Sequence, residues 1–167
     1  MSESPDGAAF PPRGHNHRKC IADALDAAER LCAESGLRFT PIRRRVLEIV
    51  WSRHAPVGAY EILDALRDEH RSAAPPTVYR ALEFLVEHGL VHKIESLNAF
   101  VGCGHPEDGA HVGQFLICGR CRRVGELDDP DIAALIEKKA ARVGFDVSRQ
   151  TIEVEGLCRD CAVTARA

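Results

Sequence analysis

Apolar residues recur at helical spacing through the first half of the chain. Ile21, Leu25, Ala28 and Cys32 fall at i, i+4, i+7 and i+11, one face of a helix that begins near Lys19 and stops before Gly36. Thr40 is a good N-cap and Pro41 suits a first helical position. Val46, Leu47 and Val50 then supply the stripe of a second helix. A third helix is expected over Ala59–His70, burying Ile62, Leu63 and Leu66. A fourth starts near Pro75-Pro76, buries Val78, Leu82, Leu85 and Val86, and reaches His88, with Gly89 just beyond its end. Thr77, Tyr79, Arg80 and Glu83 lie off that stripe. The period then shortens to two. Leu90–Ile94 and Ala99–Cys103 read as strands around the turn sequence Glu95-Ser96-Leu97-Asn98. Short helices followed by a hairpin match a winged helix-turn-helix, whose last helix before the hairpin enters the DNA major groove. A small helical domain with an appended hairpin has the same pattern.

The second half is organised differently. Residues 104–112 read as a loop, Phe115–Cys118 and Val124–Leu127 as strands, and Pro130–Val143 as a helix closed by Gly144. In Ser148–Glu155, Thr151, Glu153 and Glu155 alternate with Ile152 and Val154, as in a further strand. Residues 1–17 are rich in Gly, Pro and Ser without periodicity and read as a mobile tail, so His15 and His17 are solvated side chains. The expected class is α+β: a tail at 1–18, a winged-helix domain with its hinge at 19–102, and a small α/β domain at 103–164.

Composition narrows the function. A hydrophobic fraction of 45% supports packed cores. No apolar run approaches the ~20 residues that span a bilayer, and no basic start leads into an apolar segment, so a cytoplasmic address without a membrane partner is expected. The net charge of −3 does not by itself suggest nucleic acid. A local basic patch exists in Arg38-Phe39-Thr40-Pro41-Ile42-Arg43-Arg44-Arg45, but such a run is equally a solvated helix face.

Seven cysteines in a reducing compartment point to metal or redox chemistry before disulfides. Cys118-Gly-Arg-Cys121 and Cys158-Arg-Asp-Cys161 each offer two thiolates from one turn, together enough for a closed, structural, tetrahedral zinc site. A thioredoxin-like pair is the alternative, but Cys118 follows a strand and Cys121 precedes another, whereas a redox pair opens a helix. A nucleobase deaminase needs His-x-Glu with Pro-Cys-x-x-Cys, and neither is present. His92, Cys103, His105, His111 and Glu126 form a second group of candidate ligands around the hairpin and loop. Cys32 is expected as a buried helix-face thiol and Cys20 as inert, with His54, His70 and His88 at helix ends in structural roles.

Arg38-Phe39-Thr40-Pro41 with Arg43 and Val46-Leu47, Pro76-Thr77-Val78-Tyr79-Arg80-Ala81-Leu82, Gly89-Leu90-Val91-His92-Lys93 and the paired CxxC motifs together resemble the ferric uptake regulator (Fur) family of metal-dependent repressors, from about residue 19 to residue 162. Within it the zinc uptake regulators are the nearest type. The resemblance implies a non-enzymatic, zinc-responsive repressor. It would be a homodimer that binds a palindromic double-stranded DNA operator, has no small-molecule substrate and represses zinc-uptake genes. It implies two zinc ions per subunit. Cys118, Cys121, Cys158 and Cys161 would hold the structural ion, and His92, Cys103, His111 and Glu126 the regulatory one, with His105 a nearby alternative. A thiolate at Cys103 favours zinc over iron or manganese, which siblings in the family sense. DNA contact falls to Thr77, Tyr79 and Arg80 on the fourth helix, with Arg43, Arg44 and Arg45 adding phosphate contacts.

Overall fold

The structure is a computed structural model that describes residue 10 and residues 16–53, 55–106 and 112–166. His15, His54 and His111 lie outside the described residues. The chain divides into two compact units, one from the described residues between 16 and 106, the other from Phe10 and residues 112–166.

The first unit contains α1 (His17–Glu34), α2 (Pro41–Trp51), α3 (Ala59–Arg67), α4 (Pro75–Glu87), β1 (Val91–Ile94) and β2 (Ala99–Gly102). Helix α1 starts two residues before the position expected from the apolar pattern. The side chain of Asn16 accepts a hydrogen bond from the Arg18 N–H at 3.1 Å and satisfies an orphan donor of the first turn. His17 and Arg18 are therefore helical, not part of a tail. In α2 the expected cap is present, with Thr40 Oγ1 accepting from the Arg43 N–H. Helix α3 ends at Arg67, three residues short of His70, because its last inward residue is Leu66 and nothing beyond it is buried before Ala73. Helix α4 begins on Pro75, whose missing N–H costs nothing there, and is closed by Gly89 at φ 68°. The Leu90 N–H then donates to the Leu85 carbonyl at 2.8 Å.

Strands β1 and β2 pair antiparallel with His92 opposite Val101 and Ile94 opposite Ala99. Val57 exchanges two backbone hydrogen bonds with Phe100 and adds a single-residue bridge to the other edge of β2. Leu25, Ala28, Val46, Leu47, Val50, Ile62, Leu66, Val78, Leu82, Leu85 and Val91 fill one core, so all four helices and the wing bury their stripes against each other. This is the winged helix-turn-helix that the pattern predicts.

The second unit contains β3 (Gly113–Cys118), β4 (Val124–Leu127), α5 (Pro130–Arg142), β5 (Thr151–Gly156) and α6 (Arg159–Arg166). The sheet order is β4-β3-β5, with β3 antiparallel to β4 and parallel to β5. A parallel pair needs a crossover, and α5 provides it. Buried Gln114 donates to the Asp129 carbonyl at 2.7 Å and ties the central strand to the cap of α5. Helix α5 itself has no buried residue, and Leu135, Ile136, Val143, Phe145 and Val154 are exposed. Three features differ from expectation, the first being that β3 already opens at Gly113, two residues before Phe115. Strand β5 opens at Thr151 instead of Ser148, and a helix, α6, follows the last CxxC motif.

Candidate metal and DNA-binding sites

The four-cysteine cluster is assembled at one end of the second sheet. Parallel pairing puts Cys118 opposite Gly156, so β3 and β5 finish side by side. Cys118 ends β3, Cys121 sits in the turn after it, Cys158 follows β5, and Cys161 occupies the first turn of α6. Their sulfurs all lie within 4.8 Å of one another, and Cys118, Cys158 and Cys161 are buried. Cys121 Sγ and Cys158 Sγ are 3.7 Å apart. A tetrahedron with zinc–sulfur bonds of about 2.3 Å has edges of about 3.8 Å, so the donor set fits a tetrahedral zinc ion in both chemistry and size.

The electrostatics suit a cation. Burial opposes ionisation of Cys118, but backbone N–H groups of Cys121, Cys158 and Arg120 outweigh it together and pull this thiol down to about 6. The Cys158 N–H to Cys118 Sγ contact is 3.4 Å. Burial, together with hydrogen bonds to the other three cysteines, pushes Cys161 the other way, up to about 12. Four sulfurs this close, three of them buried, cannot all ionise without a positive charge among them. Phe10 packs against the cluster, with the Arg123 guanidinium 5.9 Å from its ring centroid and the same guanidinium 3.6 Å from Asp160. This contact was missed in the sequence. The one available signal was that Phe10 is the sole aromatic residue before Phe39.

Among the second ligand group, three described members, His92, Cys103 and His105, share the first unit. The register places Cys103 on the same sheet face as His92, as a diagonal neighbour, and the Cys103 N–H continues the ladder to the Leu90 carbonyl. A ring nitrogen of His92 and Cys103 Sγ lie within 4.8 Å of one another, and Cys103 is buried. His105 is exposed. Glu126 belongs to β4 of the second unit, paired opposite Phe115. Burial pushes the Cys32 thiol up, as befits an inert core residue.

On α4, Val78, Ala81, Leu82, Phe84 and Leu85 are buried, which turns Tyr79 and Arg80 to the exposed side and leaves Thr77 half-buried. The arginine run of α2 is placed differently from a free basic patch. Arg43 stacks its guanidinium 3.5 Å from the centroid of the Phe84 ring and donates to the Arg38 carbonyl. Arg44 pairs with Glu29, and Arg45 pairs with Glu48 at 3.0 Å and Glu69 at 2.5 Å.

The sequence model described as the ferric uptake regulator family matches residues 34–155, most of the chain. The chain belongs to the ferric uptake regulator family. It is similar to the zinc uptake regulation protein of Escherichia coli (strain K12), 40% identical over 139 residues that cover 83% of this chain and 81% of that one. It is less similar to the peroxide operon regulator of Bacillus subtilis (strain 168), 28% identical over 146 residues that cover 84% and 95%. Among solved structures it resembles holo XcZur at 50% identity and a TM-score of 0.79, covering 84% of this chain and 98% of that one. It also resembles a zinc uptake regulator complexed with zinc and DNA at 36% identity and a TM-score of 0.83, covering 92% and 99%. As in the ferric uptake regulator family reading of the sequence, the fold is a winged helix followed by a small α/β unit carrying a four-cysteine cluster. No helix among the described residues is long and apolar enough to cross a membrane.

Proposed function

We propose that this protein is a zinc-responsive transcriptional repressor that dimerises through its second unit and grips a palindromic operator when a regulatory zinc site is filled. The observation that carries the reading is the likeness, over nearly the whole chain, to a zinc uptake regulator complexed with zinc and DNA. Its targets are zinc-uptake genes, its address is cytoplasmic, and it has no enzymatic activity.

Two zinc ions per subunit are proposed. Cys118, Cys121, Cys158 and Cys161 hold one; four thiolates leave no open position, so its role is structural. His92, Cys103, His111 and Glu126 hold the other. Bound there, zinc supplies a crosslink among side chains from the wing, the connecting loop and strand β4. The thiolate of Cys103 gives this set its preference for zinc over iron or manganese. Cys103 and His92 need little rearrangement, since they already neighbour each other on the wing. Ligation and operator binding favour the same arrangement of the reading heads, so each tightens the other, typically by about 1–3 kcal/mol.

Each protomer contributes its α4 to one major groove of the operator. Tyr79 and Arg80 reach bases or phosphates from the exposed side, with Thr77 near the helix start. The dimer reading is supported by the uncovered apolar residues of α5 and β5, which a second copy would bury.

The test uses duplex DNA selected from a random pool in the presence of zinc. Binding is measured at buffered free zinc, iron(II) and manganese(II), with metal content determined on the same sample. Zinc should give the tightest complex, and Cys103→Ser should remain a folded dimer that no longer responds to zinc. A normal zinc response in Cys103→Ser overturns the sensing assignment.

A further inference from the structure

We propose that Arg43 is a positioning residue for the recognition helix and not a phosphate contact. This rests on the reading of α4 as the DNA-reading element. The guanidinium of Arg43 is used on both its face and its edge. Its face lies 3.5 Å from the centroid of the Phe84 ring, and its edge donates to the Arg38 carbonyl ahead of α2. Its backbone N–H meanwhile donates to Thr40 Oγ1 in the cap of α2. One residue thus joins the segment before α2, the first turn of α2 and the last turn of α4.

Phe84 is 8% exposed, so the ring that Arg43 covers is part of the core. Its other neighbour is the His88 ring, with centroids 4.3 Å apart, and His88 Nδ1 lies 2.8 Å from the Phe84 carbonyl. Phe84 stands four residues after Arg80. On a helix that spacing makes them neighbours on one stripe, about 5–6 Å apart at Cβ. Phe84 shares the buried face of α4 with Val78, Ala81, Leu82 and Leu85, so the Arg43 stack helps to fix the rotation of α4 and with it where Arg80 and Tyr79 point. With its face flat on the Phe84 ring and one N–H on the Arg38 carbonyl, the guanidinium is held against α4 and turned away from the free swing that a phosphate-seeking side chain needs. The rest of the run is engaged as well, Arg44 with Glu29 and Arg45 with Glu48 and Glu69.

The experiment uses the full-length, zinc-loaded protein and the selected duplex, titrated over a range of KCl. The variants are Arg43→Ala, Arg43→Lys, Phe84→Leu and the double variant Arg43→Ala/Phe84→Leu. Amide hydrogen exchange across α4 is followed in parallel. Losing the stack should weaken operator binding about three- to thirtyfold. The slope of log affinity against log salt should stay that of the parent, lysine should not rescue, and the double variant should be no weaker than the worse single one. Exchange should speed up in α4 and not in β3. A slope shallower by about 0.9 in Arg43→Ala, restored by Arg43→Lys, identifies a phosphate contact and overturns the proposal. Unchanged affinity together with unchanged α4 exchange overturns it too. If the parent ignores DNA at every zinc concentration, the functional reading fails, while the exchange measurement still judges Arg43.

Discussion

Arg80 is exposed, and no ion pair joins it to another described residue, whereas Arg43, Arg44 and Arg45 each have a partner inside their own unit. That contrast decides which charges remain available to DNA. Arg80→Ala should weaken operator binding and make the salt slope shallower by about 0.9, with zinc content unchanged. Salt-titrated binding with metal analysis reads both, and an unchanged slope would remove Arg80 from the phosphate contacts. The opposite profile belongs to Arg45, whose half-exposed pairs with Glu48 and Glu69 contribute about 0–1 kcal/mol to stability. This distinction was not legible in the sequence. The run of arginines is visible there, but Glu29 and Glu69 are remote in sequence, and only the packing of α1 and α3 on α2 brings them to Arg44 and Arg45. The cysteines were legible, because a CxxC turn is a local geometry. What the spacing could not tell is that backbone N–H groups lower Cys118 while its neighbour Cys161 is raised.

At the level of elements, those with local punctuation were readable. Thr40-Pro41 opens α2, and Pro75 with Gly89 brackets α4. The α6 helix was not foreseen, since Arg159–Arg166 offers no apolar stripe longer than Ala162 and Val163. Its one buried described residue is Cys161, itself a metal-ligand candidate, so it is anchored by the cysteine cluster instead of a hydrophobic seam. The parallel pairing of β5 with β3 was equally hidden, because alternation along a strand says nothing about its neighbour. The wing carries a constraint of its own. A Cβ at Gly102, one residue before Cys103, would collide with the Trp51 indole. Gly102→Ala should therefore cost about 1–3 kcal/mol through displaced packing. Denaturant unfolding measures this, and a variant as stable as the parent would mean that Trp51 moves aside freely. Where β2 gives way instead of Trp51, the displacement reaches Cys103, so zinc response should suffer along with stability.

For the molecule as a whole, the two units depend on different stabilising terms. The first has a core of packed side chains from four helices and a wing. The second has an uncovered helix, a three-stranded sheet with Phe115, Ile117 and Val124 as its main buried apolar residues, and the cysteine cluster. Where a structural zinc substitutes for a core, its binding is folding free energy, on the order of 10 kcal/mol or more. Cys158→Ser should thus unfold the second unit and abolish dimerisation, while the helical signal of the first survives. Sedimentation and hydrogen exchange separate the two, and a stable dimer lacking zinc would rule out the structural role.

The positions of the two CxxC motifs also set a timetable for synthesis. Cys118 and Cys158 meet across 40 positions of chain. At ribosomal speeds of about 5–20 residues per second, the first pair of thiols waits in the nascent chain for at least two seconds before the second pair exists. The DNA-reading unit is already complete by then. On the proposed structural role of the cluster, dimer formation waits for the second pair of thiols and for a zinc ion to join them.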